Sequence, residues 1–103
     1  MKVTYSKHLR FKMQQRDISE LVPERIYRES TQRFYNHHSL RQIAVLEVLY
    51  RQRRVLMMIA YDQMPDEAEI ITIHPITREQ IQDRLRSGRW THEQTSGELR
   101  SRS

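Results

Sequence analysis

The chain has 103 residues and a mass of 12.6 kDa, which is the size of one domain and too small for a two-domain enzyme with its own cofactor-binding half. It contains no cysteine, so disulfides, thiolate metal sites and a cysteine nucleophile are excluded. Eighteen basic side chains against thirteen acidic ones give a net charge of +5, and fifteen of the eighteen are arginine, whose planar fork grips phosphate bidentately and stacks on bases. The charge is uneven, with +7 over residues 1–54, −4 over 55–76 and +2 over 77–103. A basic surface facing a polyanion such as RNA is one reading of this pattern, and plain solubility is the other. The longest apolar run, residues 55–61, falls far short of the ~20 residues that span a bilayer. Met1 to Arg16 carries charges throughout and lacks the apolar stretch of a secretory signal. Without cysteine or a membrane segment, the expected location is the cytoplasm.

In chain order, Ser6 is placed to N-cap a first helix running to about Arg16, with Leu9 and Met13 one turn apart and Phe11 beside them. Asp17 breaks that helix. Ser19 opens a second, ending near Ser30, which tolerates Pro23 in its first turn and offers Leu21, Val22, Ile26 and Tyr27 for burial. From Thr31 the pattern changes to β-branched and aromatic runs. These predict strands over residues 33–36, 41–50, 55–62 and 69–74, joined by polar turns short enough to imply an antiparallel meander. In the fourth strand, alternation puts Ile71 and Ile73 on the core face and Ile70, Thr72 and His74 on the other. Thr77 and Gln80 have the spacing of a capping box, Ile81 and Leu85 share a helical face, and Gly88 is placed to end the helix. The segment from Thr91 is polar, with Leu99 its one large aliphatic residue, and reads as a flexible tail. The expectation is an α+β domain over residues 1–90, followed by a tail over 91–103. The domain has two N-terminal helices, a four-stranded antiparallel sheet and a C-terminal helix, with the helices on one sheet face. The second face then needs a cover, either the third helix or a second copy of the chain in a homodimer.

The opening residues Ser6-Lys7-His8, followed by Met13, Arg16, Ile18 and Ser19, resemble a family of small proteins of unknown function. Its members begin with Ser-x-His, Met-x-x-Arg and Ile-Ser, and it is placed beside the RelE, ParE and BrnT toxins. The similarity continues in EIITIHPITREQIQDRL and covers about Tyr5 to Trp90. It implies a RelE-like fold, helices first and then an antiparallel sheet, in a superfamily whose toxin branch cleaves mRNA on or off the ribosome and whose ParE branch poisons gyrase. BrnT-like relatives run from the last strand into a Ser-Ala-Arg segment; here Thr72 to Pro75 reads Thr-Ile-His-Pro, with His74 and Arg78 the nearest polar residues.

Cleavage of RNA by its own 2′-OH needs a base, a cation for the charge gathering at phosphorus and an acid for the 5′-oxygen, and His, Arg and Tyr supply these without a metal. His74 ends the fourth strand just before Pro75 and the helix start at Thr77, whose free N–H groups favour phosphate. It is the first candidate for acid or base; the alternative is a histidine that closes a strand. Tyr61 at the end of the third strand and Glu47 within an apolar strand complete the catalytic set. Their structural alternatives are a sheet aromatic with its hydroxyl in water and a salt-bridged carboxylate. For RNA binding the candidates are His8 and Arg16, two helical turns apart, and the group Arg78, Arg84 and Arg89 with Trp90. Arg16 equally suits the negative end of its helix, and the later arginines equally suit a solvated face. His37 and His38 are adjacent and point apart, so no metal and no cofactor is expected. The sequence thus reads as a toxin-like protein of a type II toxin-antitoxin system, a metal-independent endoribonuclease with RNA or the ribosome and a cognate antitoxin as partners. The alternatives are a non-catalytic RNA-binding or protein-interaction module and a gyrase-inhibiting toxin.

Overall fold

The computed structural model describes residues 1–93. It runs β1 (Lys2–Tyr5), α1 (Lys7–Arg16), α2 (Leu21–Glu29), β2 (Gln32–Asn36), β3 (Arg41–Tyr50), β4 (Arg53–Gln63), β5 (Glu67–Ile76), α3 (Arg78–Arg86) and β6 (Trp90–His92). The six strands form one sheet in the order β1-β5-β4-β3-β2-β6, with β1 parallel to β5 and the other pairs antiparallel. The expected four-stranded antiparallel sheet is therefore corrected. A strand precedes the two helices, another follows α3, and the sheet is mixed. Both additions are edge strands of four and three residues, too short to show a period, and each is held by a partner distant in sequence. Strand β6 takes in Thr91 and His92, which the sequence reading gave to the tail; the rest of that segment, 94–103, lies outside the described residues.

Helices cover both faces, which corrects the one-sided arrangement. On the first face Leu9, Met13, Ile18 and Ile26 pack against Ala44, Val48, Met57, Ile59, Ile70 and Ile73. On the second, Ile81 and Leu85 of α3 pack against Phe34, Ile43, Val45, Met58 and Trp90, so the third helix is the cover this face needed. Among the described residues no helix is long and apolar enough to cross a membrane.

Local chemistry explains the boundaries. Ser6 accepts a hydrogen bond from the Leu9 N–H (3.0 Å) as the N-cap of α1, and Asp17 ends the helix in the left-handed region at φ 56°. Thr77 and Gln80 form a reciprocal capping box on α3. After that helix, Gly88 at φ 79° turns the chain at little steric cost. Arg51 and Gln52, both at positive φ, make the two-residue turn that the twist of the β3-β4 hairpin favours.

In β5 the alternation slips by one residue. Tyr61 faces Ile70 and Ala60 faces Thr72, so Ile71 is the extra residue of a β-bulge. Ile70 and Ile73 consequently share the first face, both fully buried, and the expected pairing of Ile71 with Ile73 is corrected. Ser6 sits on this bulge. Its N–H donates to the Ile70 carbonyl (3.0 Å) and its hydroxyl to the Ile71 carbonyl (2.9 Å).

Replacing Ser6 by Ala removes a cap and strips the bulge carbonyl of its partner, and is expected to cost about 1–2 kcal/mol. Ile59→Ala, in the fully buried centre of β4, is expected to cost about 2–5 kcal/mol. Urea unfolding followed by circular dichroism checks both, with lower midpoints and unchanged slopes as the expected result.

Candidate functional site

The first face carries a polar cluster where α2 gives way to the β2-β6 side of the sheet. Ser30 ends α2 and ties it to the sheet. Its hydroxyl accepts from the Gln32 and Val45 N–H groups at 3.1 and 3.2 Å. Three residues on, Arg33 lies in β2 opposite Ala44, and Ala44 lies opposite Ile59 in β4. Tyr61 lies two residues farther along β4, on the same face, within reach of the Arg33 guanidinium.

That guanidinium is held at every nitrogen. Nε donates to the Ser30 carbonyl (3.2 Å), Nη1 to the Tyr61 hydroxyl (3.0 Å) and Nη2 to the Tyr27 carbonyl. Its carbon lies 5.6 Å from the centre of the Tyr27 ring. The Tyr27 ring meets Tyr61 edge-to-face at 5.1 Å and donates its hydroxyl to Gln63 Oε1 (2.6 Å). Glu93, just beyond β6, donates its backbone N–H to the Arg33 carbonyl (3.0 Å). Alternation in β6 sets its side chain on the same face as Arg33, and among the described residues its buried Oε1 has no partner.

Electrostatics follow from that burial. Desolvation raises the Glu93 carboxyl above its ordinary range, and the positive charge of Arg33 only partly offsets it. Burial also raises the Tyr61 phenol, the negative charge of Glu93 adds to the effect, and Arg33 opposes it. At neutral pH Tyr61 is therefore a protonated hydroxyl beside a fixed cation. The group opens on a cleft of about 480 Å³, bordered also by Met1, Arg28 and Gln63. A proton acceptor, a cation and a proton donor thus converge without a metal ligand set. Among the described residues, no three His, Asp or Glu side chains gather as a metal site would require.

The structure places the residues singled out from sequence in several different locations. Tyr61 belongs to the cluster. His74 lies on the second face opposite Met58, with its ring Nδ1 2.9 Å from the Pro75 carbonyl. Glu47 also lies on the second face, opposite Leu56, where it is exposed and 3.8 Å from Arg54. Strand β4 runs between His74 and Glu47, so their backbones are about 10 Å apart or more, and Tyr61 is on the far side of the sheet from both. His8 is exposed on α1. Arg16 ends that helix with its carbonyl accepting from the Tyr50 hydroxyl (2.6 Å), on the face opposite α3. Arg78 reaches Gln32 Oε1 at 3.4 Å, and Arg89 is exposed after Gly88. Trp90 is buried, with Phe34 stacked at 5.3 Å and the Arg84 guanidinium 5.1 Å from the ring centre, which leaves no open face for a base.

Sequence reasoning missed Arg33, Tyr27 and Glu93. For Arg33 alternation gives only the face opposite Phe34, and its partners on α2 and β4 depend on the tertiary fold. Glu93 carried none, because its position depends on the pairing of β6 with β2. No family model matches the chain, and no curated protein or solved structure matches it either.

Because the folded protein holds the Glu93 proton more tightly than the unfolded chain, the contribution of this group to stability is complete below its ordinary value of 4.5. It is lost as pH rises through the higher folded value. Glu93→Gln is therefore expected to melt above the wild type at pH 7 and level with it near pH 4. Thermal melts of the two proteins across that range check the sign.

Proposed function

We propose that the protein is a toxin-like, metal-independent endoribonuclease acting on mRNA, the toxin of a type II toxin-antitoxin pair, and a relative of the RelE, ParE and BrnT proteins it resembles. The observation that carries the reading is the Arg33 guanidinium, fixed by the Tyr61 hydroxyl (3.0 Å) and the Ser30 and Tyr27 carbonyls, in an open cleft that Glu93 also lines. In the proposed step the Glu93 carboxylate takes the proton of the ribose 2′-OH as that oxygen bonds to phosphorus. Arg33 meets the charge on the phosphoryl oxygens, and Tyr61 gives its proton to the departing 5′-oxygen as the P–O5′ bond breaks. The products are a 2′,3′-cyclic phosphate and a free 5′-hydroxyl. A carboxyl with a raised pKa is a better proton acceptor than an ordinary one, and a phenol that stays protonated at pH 7 is available as the donor.

This assignment moves the acid-base role from His74 and Glu47 on the second face to Glu93 on the first, and retains Tyr61. The setting it implies is the cytoplasm, with mRNA or the ribosome as target and a cognate antitoxin as partner. A second copy would contact the second face beyond α3, near the exposed Leu49. The gyrase reading has no particular residue in its favour.

Incubated with single-stranded RNA, with and without ribosomes, the wild type is expected to release fragments ending in 2′,3′-cyclic phosphate, with chelator present or absent. Glu93→Gln and Tyr61→Phe should each lose about a hundredfold in rate, whereas His74→Gln should cleave like the wild type. Loss confined to His74→Gln would return the site to the second face. RNA bound by the wild type but left whole, together with no growth arrest on expression in a bacterial host, would favour the non-catalytic module.

A further inference from the structure

We propose that the notch between the end of α3 and β6, flanked by Arg84 and Arg89, binds a backbone phosphate of the RNA strand, at a site separate from the Arg33-Tyr61-Glu93 cleft. The identity of the strand rests on the nuclease reading; the phosphate chemistry does not.

The notch follows from the turn at Gly88, whose positive φ brings Arg89 and Trp90 back under the last turn of the helix. It has a volume of about 350 Å³ and is lined by Gln80, Asp83, Arg84, Ser87 and Arg89. Arg84 lies on the apolar Trp90 ring, and the contact strips water from the guanidinium. Its Nη1 is buried and has no partner among the described residues. Burial and the neighbouring charge of Arg89 both disfavour the charged form of Arg84, and Asp83 alone supports it. Asp83, however, is already engaged by Arg86 through its Oδ1.

The result is two arginines lining one notch, one of them partly dehydrated, and a single carboxylate that a third arginine holds. The negative end of α3 accounts for a cation in its last turn. It does not account for a second guanidinium beyond the helix that repels the first. One oxyanion between Arg84 and Arg89 removes that repulsion, gives Nη1 an acceptor and forms two charge-assisted hydrogen bonds. Phosphate suits the place better than a base, since both faces of Trp90 are occupied, so binding here is to the backbone and independent of sequence. The site also lies on the route to the cleft. Trp90 and Glu93 are three residues apart on one sheet edge, about 10 Å of chain, so a strand gripped at Arg84 and Arg89 passes that edge to reach Glu93.

Trp90 is the one tryptophan in the chain, and its contact with Arg84 makes its fluorescence the reporter. A fully 2′-O-methylated single-stranded oligonucleotide, which lacks the attacking hydroxyl, is titrated against the full chain at several salt concentrations. The expected result is a saturable change in Trp90 emission. In Arg84→Gln/Arg89→Gln the affinity should fall at least tenfold, and the log-log salt slope should flatten by about 0.7, the value of one single-strand phosphate contact. Arg89→Gln alone, at an exposed position, keeps the test valid if the double variant does not fold, and should move both quantities the same way. Equal affinity and slope in Arg89→Gln and the wild type would overturn the site. A response to inorganic pyrophosphate but none to the oligonucleotide would also overturn it, as an adventitious anion only. If the oligonucleotide binds here while unmodified RNA is never cut, the nuclease reading falls and this site stands. If Arg89→Gln both cuts and binds RNA like the wild type, the site falls and the nuclease stands.

Discussion

Ile43, Ala44 and Val45 are consecutive and buried, and so are the five residues from Met57 to Tyr61. Successive side chains of a strand point to opposite faces, so two central strands of this kind require cover on both. That constraint fixes the layer order, with α1 and α2 on one side and α3 on the other. The helices have ten, nine and nine residues, about 15 Å each at 1.5 Å per residue. Six strands spaced about 4.8 Å apart make a wider sheet than such helices cover. On the first face the uncovered portion is the β2-β6 side, and the Arg33 cluster occupies it.

Placing the cluster there has an energetic cost that its geometry only partly offsets. Arg33 gives hydrogen bonds to two carbonyls and a hydroxyl, so its charge is well held. Glu93 has no comparable set of donors. It stands half out of water near one cation that is already committed, and its raised carboxyl reflects this. A half-buried carboxyl with a raised pKa suits the acceptor role proposed for Glu93 better than it suits a surface selected for stability alone.

Much of the fold was legible in local chemistry. The Ser6 cap, the Thr77-Gln80 box, the Gly88 stop and the runs that became β3, β4 and β5 each depend on residues a few positions apart. The missed features depend on distant pairings. Strand β1 aligns Lys2 with Glu67, and β6 aligns Trp90 with Asn36. The bulge at Ile71 lies where Ser6 docks, 65 residues away in sequence. The site divides the same way. Tyr61 was legible as an aromatic at a strand end, whereas its partnership with Arg33 requires the β2-β3-β4 register. His74 attracted attention through its own junction of strand and helix, which says nothing about what faces it across the sheet.

Strand β6 links the Arg33 cluster on one face to the notch beside Arg84 on the other. Three residues of ladder at a sheet edge cannot hold themselves in register, so the anchor has to be a side chain, and Trp90 is that side chain. Its ring is clamped between Phe34 on the sheet and Arg84 on α3, and His92 rests against Phe34 from the next position on the same face. Alternation then leaves Thr91 and Glu93 no choice but the opposite face. Thr91 meets His37 there at 3.0 Å, and Glu93 meets the Arg33 strand through its backbone N–H. The position of the Glu93 carboxylate on the first face is thus set by the packing of an indole on the second. Arg84 lies on that indole, so the guanidinium on the second face and the Glu93 side chain on the first both take their places from Trp90.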